Sequence, residues 1–158
     1  MTHDLANEHV DAEWLLSMTL LADPCAFLQD KAAAAKLHAL LAPYQGLYTV
    51  APVEATFGSV ARALGVVASV LERFDAADRY FALAIETERK MKARPWLAHA
   101  QHNLAAMLVR RGAAGDDERA LALLEEAHDI YRELGMKSWA ARVSEATGAS
   151  CSRPQSLP

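Results

Sequence analysis

A 43-residue beat runs through this chain and restricts what it can fold into. Ala34, Ala77 and Ala120 are spaced 43 apart. Each is followed four positions later by a larger side chain, His38, Phe81 or Leu124, and three after that by Leu41, Ala84 or Ala127. Upstream, Leu21-Ala22, Leu64-Gly65 and Leu104-Ala105 keep nearly the same beat, and Trp96 and Trp139 also stand 43 apart. Steps of three and four residues belong to one face of a helix. Two such segments per unit predict helical hairpins, and a fixed period of this size predicts that the hairpins stack. A lone hairpin cannot bury its apolar face, so each unit must lean on the next.

The first helix is expected to start between His9 and Glu13 and to bury Trp14, Leu15, Met18, Leu21, Ala22 and Cys25. Pro24 inside this pattern either kinks it or divides it, because proline lacks the N–H and crowds the preceding turn. Asp30 has the chemistry of an N-cap, and residues 31–42 form a second helix that stops at Pro43. From Tyr44 to about Phe57 the prolines, Gly46 and Thr49-Val50 favour extended or turn structure. Helices follow over 58–71, 75–92, 95–111 and 118–134, the last closed by Gly135. A further helix over 137–146 has no partner. Aligning Arg89 on Arg132, Met91 on Leu134 and Trp96 on Trp139 makes it the first half of a fourth unit, serving as a cap. The expected fold class is all-α, a right-handed stack of three antiparallel helical hairpins plus a C-terminal capping helix. The expected organisation is a flexible N-terminus (1–8), one helical-repeat domain (9–146) and a disordered Ser/Pro-rich tail (147–158).

With 158 residues and 53% hydrophobic content, the chain has enough apolar material for one core. A net charge of −4 and the lack of a Lys/Arg stripe argue against nucleic-acid binding. The cluster Arg89-Lys90-Lys92-Arg94 reads as cations at a helix C-terminus, where the macrodipole favours them. No apolar run reaches the ~20 residues of a membrane span, and the polar start lacks the pattern of a secretory leader. The expected location is cytoplasmic. Cys25 and Cys151 are isolated thiols that specify neither a disulfide nor a metal site.

Leu64-Gly65 with Ala77, Phe81 and Ala84, then Leu104-Ala105 with Ala120, Leu124 and Ala127, resembles the tetratricopeptide repeat pattern. Small residues stand where two helices touch, and bulky ones fill the gap between hairpins. The first unit departs from it, with His38 in the bulky place and Leu41 in a small one. The period is also longer than the usual ~34. More narrowly, residues 12–146 are similar to the helical-repeat tails of bacterial signalling regulators that couple an ATPase to adenylate/guanylate cyclase or LuxR-type output domains. The chain carries no P-loop, cyclase domain or helix-turn-helix, so the resemblance implies only a sensing or docking surface in signalling or transcription regulation.

In such stacks the first helix of each hairpin lines a concave groove. That register places Ser59, Arg62 and Ser69 there from one unit and His99, His102 and Arg110 from the next. Arg62 and Arg110 suit a peptide carboxylate through paired charge-assisted hydrogen bonds. His99 and His102, three apart, share a helix side but lack a third ligand in register, so no metal is assigned. His38 reads as a hydrogen-bonded imidazole in a core position. Tyr44, Tyr48 and Phe57 read as pins for the long connection, or as an aromatic wall for a small ligand. The tryptophans read as packing between hairpins. Asp116-Asp117-Glu118 reads as helix N-capping. No phosphate loop, nucleophile elbow or zinc motif appears, so neither a catalytic residue nor a cofactor is expected. The leading expectation is a non-catalytic module binding a protein or peptide in its groove. The alternatives are a small-molecule sensor with a closed apolar pocket and a self-associating fragment, a homodimer through its N-terminal hairpin.

Overall fold

The computed structural model describes residues 13–51 and 55–151, and the expectations for 1–8 and 152–158 lie outside them. The chain is predominantly helical with one small sheet. In order it forms α1 (Trp14–Leu20), α2 (Ala22–Leu28), α3 (Lys31–Leu41), a 3-10 turn (Ala42–Tyr44), β1 (Tyr48–Ala51), β2 (Ala55–Ser59), α4 (Val60–Val70), α5 (Phe74–Met91), α6 (Arg94–Arg111), α7 (Asp116–Glu133) and α8 (Lys137–Cys151).

Pro24 divides the first helical segment. The break falls at Leu21, which ends α1 and begins α2 and leaves proline in the first turn of α2, where a missing N–H costs no helical bond. Asp30 caps α3 as its chemistry requires, accepting from the amides of Ala32 and Ala33 at 3.0 Å each. The stretch after Pro43 holds more order than turns alone. β1 and β2 pair antiparallel, with Tyr48 opposite Ser59 and Val50 opposite Thr56, and the register slips between residues 48 and 50. The β-branched and aromatic side chains Thr49, Val50, Thr56 and Phe57 suit the pleated surface of such a hairpin. Glu88 of α5 anchors it: fully buried, its carboxylate accepts from the Tyr48 hydroxyl at 2.7 Å and the Ser59 amide at 2.8 Å.

Every residue of α4 is buried. Its sequence, VARALGVVASV, is apolar on all sides, the pattern of a helix enclosed by neighbours rather than half-exposed. It packs on α1, α2, α3, α5 and α6, and beyond it α5, α6, α7 and α8 each pack on the next in chain order. At the α4–α5 contact, Gly65 lies so near Phe81 that a Cβ on it would stand 2.6 Å from the ring. The beat in the sequence also appears in the backbone. Gln29, Glu72 and Gly115 take positive φ at 43-residue intervals, and so do Lys92 and Gly135. Ala34, Ala77 and Ala120, like Leu41, Ala84 and Ala127, are all buried in the core.

Three local expectations need correction. α7 begins at Asp116, not Glu118, and has no side-chain cap. Asp116 is instead a buried anchor that accepts from Arg111 at 2.7 and 2.9 Å and from the Ala113 amide, closing the 112–115 turn. Arg111, above all, holds its carboxyl well below the usual range, at about 2. His38 is only partly buried; its Nε2 lies 3.4 Å from the Tyr80 hydroxyl, and Leu37 and Leu41 take the core positions beside it. α8 runs to Cys151, past the end expected near residue 146. Among the described residues, no helix is long and apolar enough to cross a membrane.

Candidate functional site

Beside α4 and α6 lies a cavity of about 370 Å³ lined by Asp23, Arg62, Trp96, His99, His102, Asn103 and Trp139. Those residues come from α2, α4, α6 and α8. Their gathering follows from helical spacing on α6, where 96, 99, 102 and 103 fall on one face. Trp96 is seated by two contacts. Its indole N–H donates to the Thr56 carbonyl at 3.0 Å, and its ring rests against Gly58, whose φ of +85° and missing side chain leave room for it. Phe57 tilts against the same indole, with centroids 6.2 Å apart.

Arg62 is the one cation among the described residues of the lining. It is only 7% exposed, and its two terminal nitrogens donate to the Asp23 carboxylate at 3.1 and 3.2 Å; Nη1 also donates to Asn103 Oδ1 at 3.1 Å. Arg62 also stacks over Trp96 at 5.8 Å. His99 lies between the two indoles, 5.4 Å from Trp96 and 4.5 Å from Trp139, and its Nδ1 meets the Tyr131 hydroxyl at 2.9 Å. Tyr131 is fully buried and stacks on Trp139. A buried hydroxyl must place its proton, so the economical arrangement has Tyr131 donating to Nδ1, which leaves the His99 proton on Nε2.

Burial, reinforced by the Arg62 charge, pulls the His99 pKa down to about 4. Burial lowers that of His102 as well, with a smaller contribution from Arg142, which sits 4.8 Å over the Trp139 ring. Both imidazoles are therefore neutral at neutral pH. Two polar atoms of the lining, Arg62 Nε and His102 Nδ1, are buried without a hydrogen-bond partner.

Arg62, His99 and His102 share this cavity. Ser69 and Arg110 line a smaller hollow of about 110 Å³ with Ala26, Val66 and Met107, and Asn103 lines both. Ser69 donates its hydroxyl to the Gly65 carbonyl, and Arg110 is exposed. Ser59 lies apart: it is the buried last residue of β2, just before α4, its amide held by Glu88.

The three aromatic residues of the connection go to different partners. Tyr44 meets Trp14, Tyr48 bonds Glu88, and only Phe57 approaches the cavity, behind Trp96. None of them lines it. Asp23 and Asn103 are lining residues that the repeat register alone does not single out. Asn103 was findable, one position from His102 on the same stripe. Among the described residues, no group of three His, Cys, Asp or Glu side chains is placed to hold a metal. No protein-family model, curated protein or solved structure matches this chain.

Proposed function

We propose that this chain is a non-catalytic protein-interaction module, a tetratricopeptide-like stack that takes the anchor of a peptide or partner domain along α4 and α6. In this reading α1–α3, α4–α5 and α6–α7 are right-handed stacked hairpins and α8 caps the last. The observation that carries it is the composition of the cavity. It draws Asp23, Arg62, the α6 stripe and Trp139 from the first helix of each successive unit, and it adjoins the Arg110 hollow at Asn103. A site that runs across several helices suits an extended chain, and buried Arg and Trp are the side chains that dominate such interfaces. The small-molecule sensor predicted a closed apolar pocket, whereas five of the seven described residues lining this cavity are polar. The module would act as a regulatory adaptor or sensor segment in bacterial signalling or transcription control, in the cytoplasm.

Selection from a random-peptide display library tests this. Enriched peptides should bind Arg110→Glu and His102→Ala variants on the order of tenfold more weakly, with helicity unchanged by circular dichroism. No enrichment, or equal binding by both variants, would remove the reading. One observation favours self-association as a second reading. Phe27 and Leu28 are 88% and 71% exposed beside an apolar hollow of about 380 Å³ between α2 and α3. Sedimentation should then show a dimer that Phe27→Lys dissolves; a wild-type monomer at every concentration would dismiss it.

A further inference from the structure

We propose that Asp23 holds the place of a ligand carboxylate, and that the cavity binds a carboxylate carried on a flat aromatic group, which displaces Asp23 from Arg62. The proposal rests on the interaction reading and names the chemistry of the anchor.

With both histidines neutral, Arg62 is the only cation and Asp23 the only anion among the described residues of the lining. The two partners are unequally held. The Arg62 side chain is almost wholly buried, whereas that of Asp23 is 55% exposed. Asp23 sits on the seven-residue α2, just after the break at Leu21 and beside Pro24. If the pair opens, the carboxylate can return to water, but the guanidinium cannot follow it. Burying a charge without a partner is costly, so Arg62 demands another carboxylate, and paired Arg–carboxylate bonds are the geometry it already adopts.

The remaining polar groups are mostly donors, with neutral His102 adding one donor and one acceptor nitrogen. Asn103 turns its Oδ1 to Arg62, which leaves its amide N–H groups for a ligand, and His99 offers Nε2–H once Tyr131 has taken Nδ1. With Asp23 withdrawn, the site is rich in donors and poor in acceptors, the complement of an oxyanion. Its walls supply the second half of the specificity. Trp96 and Trp139 are indoles held in place by Thr56, Gly58 and Tyr131, and such surfaces favour flat rings. The buried, unpartnered Arg62 Nε adds a donor unused by Asp23 or Asn103.

An occupied site weakens apparent affinity by the fraction of molecules in which the site is free. Removing the internal carboxylate should therefore tighten binding. The probes are benzoate with benzamide as its uncharged match, and a short peptide ending in phenylalanine with its terminal carboxylate free or amidated. Binding is followed by the indole N–H resonances. Asp23→Asn should bind benzoate, the free-carboxylate peptide or both about tenfold more tightly than the wild type. Arg62→Gln should lose them, and the amides should not bind. Equal affinity in Asp23→Asn and wild type, or binding of the amides as strong as that of the acids, overturns the proposal.

Asp23→Asn leaves Arg62 short of a partner and can impair folding, so the unaltered protein supplies a second criterion. At high benzoate its Trp96 and Trp139 signals should move while Trp14, packed on Tyr44, stays. No such selectivity refutes the proposal. Benzoate gained by Asp23→Asn with no peptide bound keeps this inference and sinks the interaction reading. Peptide binding that depends on Arg110 but is indifferent to Asp23 does the reverse.

Discussion

The contact between Gly65 and Phe81 decides whether α4 and α5 pack as closely as the repeat pattern requires. Replacing Gly65 with alanine puts a methyl 2.6, 2.7 and 2.9 Å from three atoms of the Phe81 ring, where carbon atoms normally stand about 3.5–4.0 Å apart. Phe81 is 1% exposed, so the ring has little room to retreat. Overpacking of this kind costs about 1–3 kcal/mol. Against it, alanine is favoured over glycine inside a helix by about 1 kcal/mol. The net expectation is destabilisation by about 1 kcal/mol, a fall in Tm of roughly 2–4 °C for a chain of this size. The sign should reverse when the ring is gone. Phe81→Ala alone costs about 3–5 kcal/mol, and in that background Gly65→Ala should stabilise by about 1 kcal/mol, giving a coupling near 2 kcal/mol. Urea unfolding of the four proteins, followed by far-ultraviolet circular dichroism, measures the cycle. If Gly65→Ala raises stability equally in both backgrounds, the methyl meets no resistance and the close approach of α4 and α5 is not what selects glycine.

His99 gives a pH dependence with a definite sign. Its pKa is lower folded (about 4) than unfolded (about 6.5), so the unfolded chain takes up the proton first and stability is lost as pH falls from about 6.5 towards 4. The loss amounts to at most about 3 kcal/mol, and His99→Gln should flatten the urea-midpoint profile in that window; a profile parallel to wild type would contradict the burial argument. Lys92 ends α5 at φ +54°, a conformation in which a side chain costs roughly 1 kcal/mol. Lys92→Gly should therefore raise stability by up to that amount, and Gly135→Lys, 43 residues on, should lower it by as much, both read as Tm shifts in calorimetry.

Much of the helical architecture was legible because packing repeats. Ala34, Ala77 and Ala120 are all buried at their 43-residue spacing, and the helices they mark are present. The left-handed turns recur at the same period without a recurring residue type, as Gln29, Glu72 and Gly115 show. There the period is held by the length of chain between helices, which composition does not reveal. Residues 44–57 read as extended or turn structure, but strands of four and five residues leave too little alternation to show their pairing. Glu88 fell on the buried stripe of α5 by spacing. Its role was hidden because its partners, Tyr48 and the Ser59 amide, come from 40 and 29 residues away.

The site follows the opposite logic. One place in the repeat, two residues before Leu21, Leu64 and Leu104, is held by Thr19, Arg62 and His102 in turn. The Thr19 hydroxyl is spent on the carbonyls of Leu15 and Leu16, whereas Arg62 and His102 line the cavity. Asp23, which completes the arrangement, is joined to Arg62 across 39 residues by no spacing rule. In the proposed stack, core positions answer to the neighbouring unit, and every unit would offer nearly the same neighbour. Positions facing a bound molecule answer to that molecule, which presents a different part of itself to each helix. On the proposed reading, a repeat position whose chemistry changes between units, as from Thr19 to Arg62 to His102, is where a ligand would be read. A single sequence therefore betrays the scaffold through what it repeats and the site through what it does not.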